Sequence, residues 1–419
     1  MVGVFRRLFP AATTKSALIA GAVVLAVSLF ARWASYGTPA HVDEPAHLRQ
    51  IAKFIQGDYR LYVPEGRVYP FLAMTPGYHL VIAAFAHALG SRSLDGLREI
   101  QIALSLLILP AGYAVAIHFD TLRPGLRAAQ LFCFPFVFAL SFVVYTDVFA
   151  LTLSLASLAA CFGGRFAAGG LLGLAGLLVR QANVVFLVFT PLYAYLRLPT
   201  ADRPSAWELL GRCWAFLLAV LFLAAFVVAN DGRLPLCSPK FQSVGLHGIN
   251  LAFSAAIGAV AFLPWLVVSL PRVWSRLRQS RWSAAGTGLL LVTACLLMPV
   301  DDERNRVDFM PELLHNHVLQ MATSSIAGRL VMAAATGWLF ATMLTAGFER
   351  YSLAFLALIW LGTLLPLELV EPRYYLTTYA LLILMRPPIK AYQEWVILGY
   401  FVACGLALHL VHAQTRYFL

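Results

Sequence analysis

Residues 75–90 read TPGYHLVIAAFAHALG, and this stretch decides how the rest of the chain crosses a membrane. It is apolar, but it is shorter than the roughly 20 residues that a spanning helix needs. It also begins with a Thr-Pro-Gly turn and carries His79 and His87, which favour the membrane interface. If this stretch spans the bilayer, every later loop changes side. If it lies at the interface, the second span is 100–118.

The basic residues choose between these two topologies. With 75–90 at the interface, the loop 271–282, PRVWSRLRQSRW, faces the cytoplasm together with the other arginine-rich short loops. With 75–90 as a span, the same loop faces outward, against the positive-inside rule. We therefore predict that residues 35–98 form one long outer loop that contains interfacial helices.

The composition predicts a membrane protein. Of the 419 residues, 60% are hydrophobic and only 12% are charged, whereas an ordinary soluble domain is about 25% charged. Apolar runs recur from end to end, and each must be helical because lipid offers no partner to a free backbone amide. We predict an all-α, polytopic fold of roughly 12–13 transmembrane helices, built as a single integral membrane domain over residues 1–419.

The formal net charge of +11 does not indicate nucleic acid, because the basic residues stand singly or in short clusters between apolar runs. Membrane topology explains them, and we expect no nucleic-acid partner. Arg6, Arg7 and Lys15 precede the apolar run 17–30. This pattern predicts a retained signal anchor with its N-terminus in the cytoplasm.

In the preferred topology the polar segments that look least like connectors share the outer face. We call these segments the polar islands: Asp43-Glu44, Tyr145-Thr146-Asp147, Arg180-Gln181-Ala182-Asn183, His247, and Glu371-Pro372-Arg373-Tyr374-Tyr375. Ionisable groups at the ends of membrane spans usually face a cavity or a headgroup. We therefore predict a single outer-face site that the islands share.

The first island admits two interpretations. Residues 44–56 can form an amphipathic helix, and Asp43 then stands where a capping side chain would stand. Alternatively, Asp43 or Glu44 accepts the proton of an acceptor hydroxyl as that hydroxyl attacks a sugar carbon. A metal site built from His41, Asp43, Glu44 and His47 is less favoured, because their order lacks the separated histidine pair of a zinc motif. We expect no metal and no cofactor.

The arginines suit a phosphate. A departing lipid phosphate is stabilised by cations, and Arg98, Arg180 and Arg373 are the candidates. The competing interpretation for Arg180 is that it reaches out to the phosphates of bulk lipid. His247 is a weaker candidate for hydrogen bonding to a substrate. The sequence has no P-loop and no GxSxG or HExxH motif, which argues against a nucleotide-driven pump or a hydrolase.

Several of these segments match the motifs of a known family. The matching segments are Asp43-Glu44-x-x-His47-x-x-Gln50, Thr75-Pro76-Gly77-Tyr78, Tyr145-Thr146-Asp147, Arg180-Gln181-Ala182-Asn183 and Glu371-Pro372-Arg373-Tyr374. In order and spacing the sequence resembles the membrane alpha-1,2-glucosyltransferases that add the last glucose to the dolichol-linked N-glycan precursor. That family has the GT-C fold.

The resemblance implies a reaction and a set of roles. The donor would be a polyprenyl-phosphate hexose, with dolichyl-phosphate glucose as the expected form, and the acceptor a lipid-linked oligosaccharide or related glycan. Transfer would be one inverting displacement, with Asp43 or Glu44 as base and Arg180 or Arg373 at the phosphate. The residues implied in substrate positioning are His47, Gln50, Tyr145, Asp147, Gln181, Asn183, Glu371 and Tyr374.

The resemblance also implies a location. The active site would face the lumen of the endoplasmic reticulum in a eukaryote, or the periplasmic side of the plasma (inner) membrane in a prokaryote. The main alternative function is a transporter or flippase of a lipid-linked saccharide, which would show broken helices and internal repeats. A non-catalytic scaffold would not explain carboxylates and arginines gathered on one side.

Overall fold

The computed structural model describes residues 11–41, 43–70, 72–234, 236, 245–280, 288, 291–296, 298, 300, 303–415 and 417–418. The anchor residues Arg6 and Arg7 lie outside this set, as does Phe71. Within these ranges the chain forms α-helices and short 3-10 helices and contains no β-strand.

The α-helices are numbered here in chain order. They are α1 Ala11–Ala34, α2 Glu44–Ile55, α3 Gly77–Leu89, α4 Leu94–Leu106, α5 Ile108–Ala116, α6 Pro124–Cys133, α7 Pro135–Leu140, α8 Asp147–Phe162, α9 Phe166–Val179, α10 Val184–Arg197, α11 Ala206–Arg212, α12 Trp214–Ala229, α13 Gly248–Ala261, α14 Leu263–Gln279, α15 Leu314–Thr323, α16 Ile326–Thr345, α17 Ser352–Leu364, α18 Leu376–Met385 and α19 Ala391–Gln414. Residues 291–296 are also helical.

The long apolar helices confirm the all-α, polytopic class. Four helical stretches of the described chain are long and apolar enough to cross a bilayer, namely Lys15–Ala34, Leu94–Ala116, Ile326–Thr345 and Ala391–Gln414. The pairs α11–α12 and α13–α14 pass the same test but are bent by 64° and 95°. Long helices are thus fewer than the predicted spans, because several apolar runs are interrupted. Pro264, for example, follows the second bend, and proline cannot continue a helix from the preceding turn.

The stretch 75–90 forms α3, which is too short to cross a bilayer alone. Its 13 residues extend over roughly 20 Å, against a hydrocarbon core of about 30 Å. The helix ends at Gly90, whose φ of 65° is readily adopted by glycine. Ser93 then caps the start of α4, accepting a hydrogen bond from the peptide N–H of Gly96 at 3.1 Å. The position of α3 in a bilayer remains a prediction.

The turn before α3 packs against the end of α9. The Thr75 hydroxyl donates to the Leu177 carbonyl at 2.7 Å. A Cβ atom on Gly77 would collide with the backbone of Leu178, so only glycine allows this close approach. This turn, which belongs to the segment predicted to form the outer loop, is therefore fixed next to Arg180, the residue that follows α9.

Candidate functional site

A cavity of about 470 Å³ joins three of the polar islands. Its lining includes Asp43, His47, Arg180, Gln181, Arg373 and Tyr374, together with residues of the segment 67–74. A smaller cavity of about 40 Å³ shares Arg180, Arg373 and Tyr374 and is also lined by Asp147 and Asn183. Four islands that are far apart in sequence therefore meet, whereas His247 lines neither cavity.

Asp43 directs its side chain to the cavity and not to the helix that follows. It occupies the residue position before α2, yet its carboxylate makes no capping hydrogen bond, so the capping interpretation is wrong. Its Oδ2 atom lies 3.2 Å from Nη1 of Arg373. Its peptide N–H donates to the phenol oxygen of Tyr145 at 3.1 Å.

Glu44, the next residue, is buried and fully engaged. Its two oxygens accept from Nε and Nη2 of Arg98 at 2.9 and 2.6 Å. They also accept from the peptide N–H groups of His41 and Val144 at 3.1 and 2.9 Å. The remaining donors of Arg98 bind oxygens of Thr38 and Pro39. The structure therefore does not bring Glu44 or Arg98, both named as candidates, to the cavity.

Arg373 connects two carboxylates. Its Nε atom is paired with Glu371, while Nη1 faces Asp43. Burial favours the neutral form of Arg373, but the charges of Glu371 and Asp43 prevail and raise its pKa well above the usual value. Burial also raises the pKa of Glu371, despite the opposing charge of Arg373. Arg373 is thus a permanent cation in the cavity wall.

Arg180 is the second cation of the wall. It is paired with Asp147 and donates to the Thr146 hydroxyl at 3.3 Å. Its guanidinium lies 5.4 Å from the ring centroid of Tyr374, and that of Arg373 lies 5.9 Å from the same ring. Both distances are within the range of a cation–π contact. Arg180 therefore faces the protein and the cavity, contrary to the interpretation that it reaches for bulk lipid.

His47 forms part of the wall as a neutral group. Its Nδ1 atom lies 2.8 Å from Nε2 of His79, and its ring centroid is 5.0 Å from that of Tyr145. Burial, with smaller effects from the charges of Arg373 and Arg180, lowers the pKa of His47 to about 3. In the described parts of the chain no three His, Cys, Asp or Glu side chains are placed to hold a metal ion.

The three amide side chains among the candidates hold loops in place. Gln50 accepts from the Tyr62 peptide N–H at 2.7 Å and donates to the Arg60 carbonyl. Gln181 bonds to residues 73, 75 and 234. Asn183 donates to the carbonyls of Ala150 and Gly176. These contacts hold in place the segments around the site. Gln181 also lines the larger cavity, and Asn183 lines the smaller one.

The segment 67–74 was not recognised as part of the site. Arg67, Val68, Tyr69 and Met74 line the cavity, and Arg233 lies over the Tyr69 ring at 4.8 Å. In the sequence, Tyr69 is an aromatic residue shortly before the Thr-Pro-Gly turn, a type that favours the headgroup level of a membrane. Its nearness to Arg180 depends on the packing of the Thr-Pro-Gly turn against α9, which no short motif encodes.

Comparison with known proteins supports a family relationship for part of the chain. Residues 38–204 match the model of the DIE2/ALG10 family, which confirms the resemblance over this segment. The crystal structure of ArnT from Cupriavidus metallidurans in the apo state is similar over 93% of this chain and 77% of that chain, with 13% identity and a TM-score of 0.43. No curated protein sequence matches significantly.

Proposed function

We propose that this chain, whose residues 38–204 match the DIE2/ALG10 family model, transfers a hexose from a polyprenyl phosphate to a lipid-linked glycan. The expected sugar is glucose, and the expected product an alpha-1,2 linkage. The observation that carries the proposal is the cavity wall, in which Asp43 lies 3.2 Å from Arg373 and Arg180 lines the same cavity. A carboxylate next to two cations is the arrangement that a displacement with a phosphate leaving group requires.

Accessibility selects the base. The side chain of Asp43 is 46% exposed, whereas those of Glu371, Asp147 and Glu44 are 6%, 3% and 0% exposed. A general base must approach the acceptor hydroxyl to about 3 Å. Among the four candidate carboxylates only Asp43 can do so without rearrangement, and we assign it the role of base.

The two arginines bind the donor phosphate. Arg373 keeps its Nε atom on Glu371, and the phosphate competes with Asp43 for its Nη groups. Arg180 stays next to Asp147 and presents its guanidinium from the other side of the Tyr374 ring. Occupation by the donor thus withdraws Arg373 from Asp43 and leaves this carboxylate free to accept a proton.

The transfer is a single displacement. The acceptor hydroxyl oxygen forms a bond to the anomeric carbon on the face opposite the phosphate, while the bond between that carbon and the phosphate oxygen breaks. The hydroxyl proton passes to Asp43, and the electron pair leaves with polyprenyl phosphate. Arg180 and Arg373 stabilise the developing negative charge. Because the proton and the charge each have an acceptor in the protein, the proposal includes no metal and no cofactor.

The membrane side follows from the predicted topology. The cavity receives Asp43, His47 and segment 67–74 from the long first loop, and this loop is assigned to the outer face by the arginine distribution. We therefore propose that transfer occurs on the luminal side of the endoplasmic reticulum membrane, or on the periplasmic side of a plasma (inner) membrane.

A transporter of lipid-linked saccharide is the competing function. It predicts broken helices whose ends hold the substrate, and the chain does contain two bent helix pairs. However, the bends lie at Cys213 and Phe262, and neither residue lines the cavities at the site. The bends therefore give the transporter hypothesis no binding site.

The test is transfer of labelled glucose by purified protein in detergent. Dolichyl-phosphate glucose and undecaprenyl-phosphate glucose serve as donors, with lipid-linked oligosaccharide as acceptor. We expect transfer by the wild type, loss with Asp43→Asn, and normal transfer with the control Asp231→Asn, whose carboxylate is exposed outside the cavity. Folded protein that binds donor but transfers with neither lipid would contradict the proposal and favour a transporter.

A further inference from the structure

Phe418 lies beyond the end of α19 and packs next to Tyr145, a residue of the polar islands. Phe418 is buried. Its peptide N–H donates to the Glu312 carbonyl at 2.8 Å, and its carbonyl accepts from the Leu314 N–H at 2.7 Å. These two bonds form an isolated parallel bridge with Leu313. The backbone of Phe418 is thereby fixed on both sides.

The ring of Phe418 packs against Tyr145, whose phenol oxygen accepts a hydrogen bond from the peptide N–H of Asp43. Its centroid is 5.3 Å from that of Tyr145, and the two planes are inclined by 29°. The ring centroid of His412 lies 4.7 Å from that of Phe418. Such offset aromatic pairs are stabilised beyond simple burial and favour one relative orientation.

Tyr145 connects Phe418 to the candidate base, because it contacts both Phe418 and Asp43. Its phenol oxygen accepts the hydrogen bond from the peptide N–H of Asp43. Burial raises the pKa of Tyr145 well above its usual value, so the phenol stays neutral. The centroid of the Tyr145 ring also lies 5.0 Å from that of His47 and 5.6 Å from the Arg373 guanidinium.

We propose that Phe418 is a positioning residue: by stacking on Tyr145 it fixes the phenol that holds the peptide N–H of Asp43. It touches no substrate and acts only through Tyr145. The inference rests on the proposed function for its kinetic consequence but not for its structural one. A shift of about 1 Å at a reacting group can cost two orders of magnitude in rate, so a loosened Tyr145 slows transfer without removing donor affinity.

The experiment compares Phe418→Leu with Phe401→Leu, a control that removes an equally buried ring within α19. Tyr145→Phe and the double variant complete the cycle. Site-resolved hydrogen–deuterium exchange follows the Asp43 amide, which requires no activity. We expect exchange there to be roughly 10-fold faster in Phe418→Leu and in Tyr145→Phe, and unchanged in Phe401→Leu.

Kinetics supply the second measurement. We expect Phe418→Leu to lower kcat roughly 10-fold at unchanged donor KM, and to add little to the loss caused by Tyr145→Phe. A purely structural role predicts additive losses, a lower Tm and unaltered protection of the Asp43 amide, and that result overturns the inference. Inactive wild-type protein with the expected exchange pattern would contradict the proposed function alone.

Discussion

Two sets of buried ions in this protein have the same chemistry but opposite surroundings. At the site Arg373 is shared between Glu371 and Asp43, and Asp43 is partly exposed to a cavity. We call the second set the buried ion cluster: Arg127, Gln130, Arg386 and Glu394. There Glu394 accepts from Nη1 of Arg386 at 3.0 Å and from Gln130 at 2.9 Å, and Nη2 of Arg127 lies 3.0 Å from it.

The two sets differ in whether their charged groups remain accessible to a substrate. In the buried ion cluster Arg127 also donates to the Ile383 carbonyl at 2.8 Å, and Arg386 donates to Gln130 at 2.9 Å. These groups are almost inaccessible, and none of them lines the cavities at the site. The cluster can therefore connect helices but cannot bind a substrate. Charged residues therefore indicate a functional site only where a substrate can reach them and can replace one of their protein partners.

The largest expected effect is on catalysis at Asp43. Asp43→Asn keeps the shape of the side chain but removes the proton acceptor, and loss of a general base typically lowers rate by about 10²–10⁴-fold. Because the carboxylate caps no helix N–H, we expect the Tm to stay within the error of the wild type. Initial rates and thermal unfolding in the same detergent measure both quantities. A lower Tm with undiminished turnover would mean that Asp43 stabilises the fold, as the buried ion cluster does, and is not the base.

The second prediction concerns the buried ion cluster, where we expect the substitution to lower stability. Glu394→Gln leaves Arg386 without its buried counter-charge and leaves Arg127 with only Asp120, whose Oδ2 lies 3.6 Å from Nε. Breaking such a buried pair costs roughly 3–5 kcal/mol. The control is Glu349→Gln, which removes a partly exposed partner of Arg197 and should cost less than about 1 kcal/mol. Thermal unfolding decides. Comparable Tm values for the two variants would mean that the buried ion pairs contribute no more to stability than the partly exposed pair of Arg197 and Glu349.

The sequence predicts candidate site residues where the signal is local. Arg180 and Arg373 are candidates because a charged residue at the end of an apolar run is costly unless it has a partner or a function. Asp43 is a candidate because a carboxylate can accept the proton of an acceptor hydroxyl. The sequence could not separate Asp43 from Glu44. Consecutive residues at a helix start point about 100° apart, and only the fold shows that one carboxylate meets the cavity and the other meets Arg98.

Other features depend on long-range packing. Phe418 reaches Tyr145 across most of the chain, and neither residue type nor spacing encodes that contact. Likewise, apolar run lengths predicted spans but not the bends of α11–α12 and α13–α14. The all-α class was predictable because every apolar run must satisfy its own backbone in lipid. Helix continuity depends in addition on turns, prolines and neighbours.

The third prediction tests whether the geometry of Arg373 matters as well as its charge. Arg373→Lys keeps a cation, but a lysine ammonium cannot span Glu371 and Asp43 as the planar guanidinium does. We expect kcat/KM for the donor to fall by about 10²–10³-fold. Arg60→Lys is the control, because Arg60 is an exposed arginine paired with Asp58. Equal kcat/KM values for wild type and Arg373→Lys would exclude a fork-like contact with the phosphate.

The smallest expected effect concerns the wall of the site and its pH dependence. Burial lowers the pKa of His47 from 6.5 to about 3, so the folded protein prefers the neutral ring. The unfolded chain then binds a proton first as the pH falls, and stability is lost from about pH 6.5 down to about pH 3. At pH 5 the loss is at most about 2 kcal/mol. His47→Gln has no such proton to bind, so its Tm should fall less than that of the wild type between pH 7 and pH 5. Parallel Tm curves would show that His47 is protonated equally in both states, and the wall would then resemble an exposed surface more than the buried ion cluster.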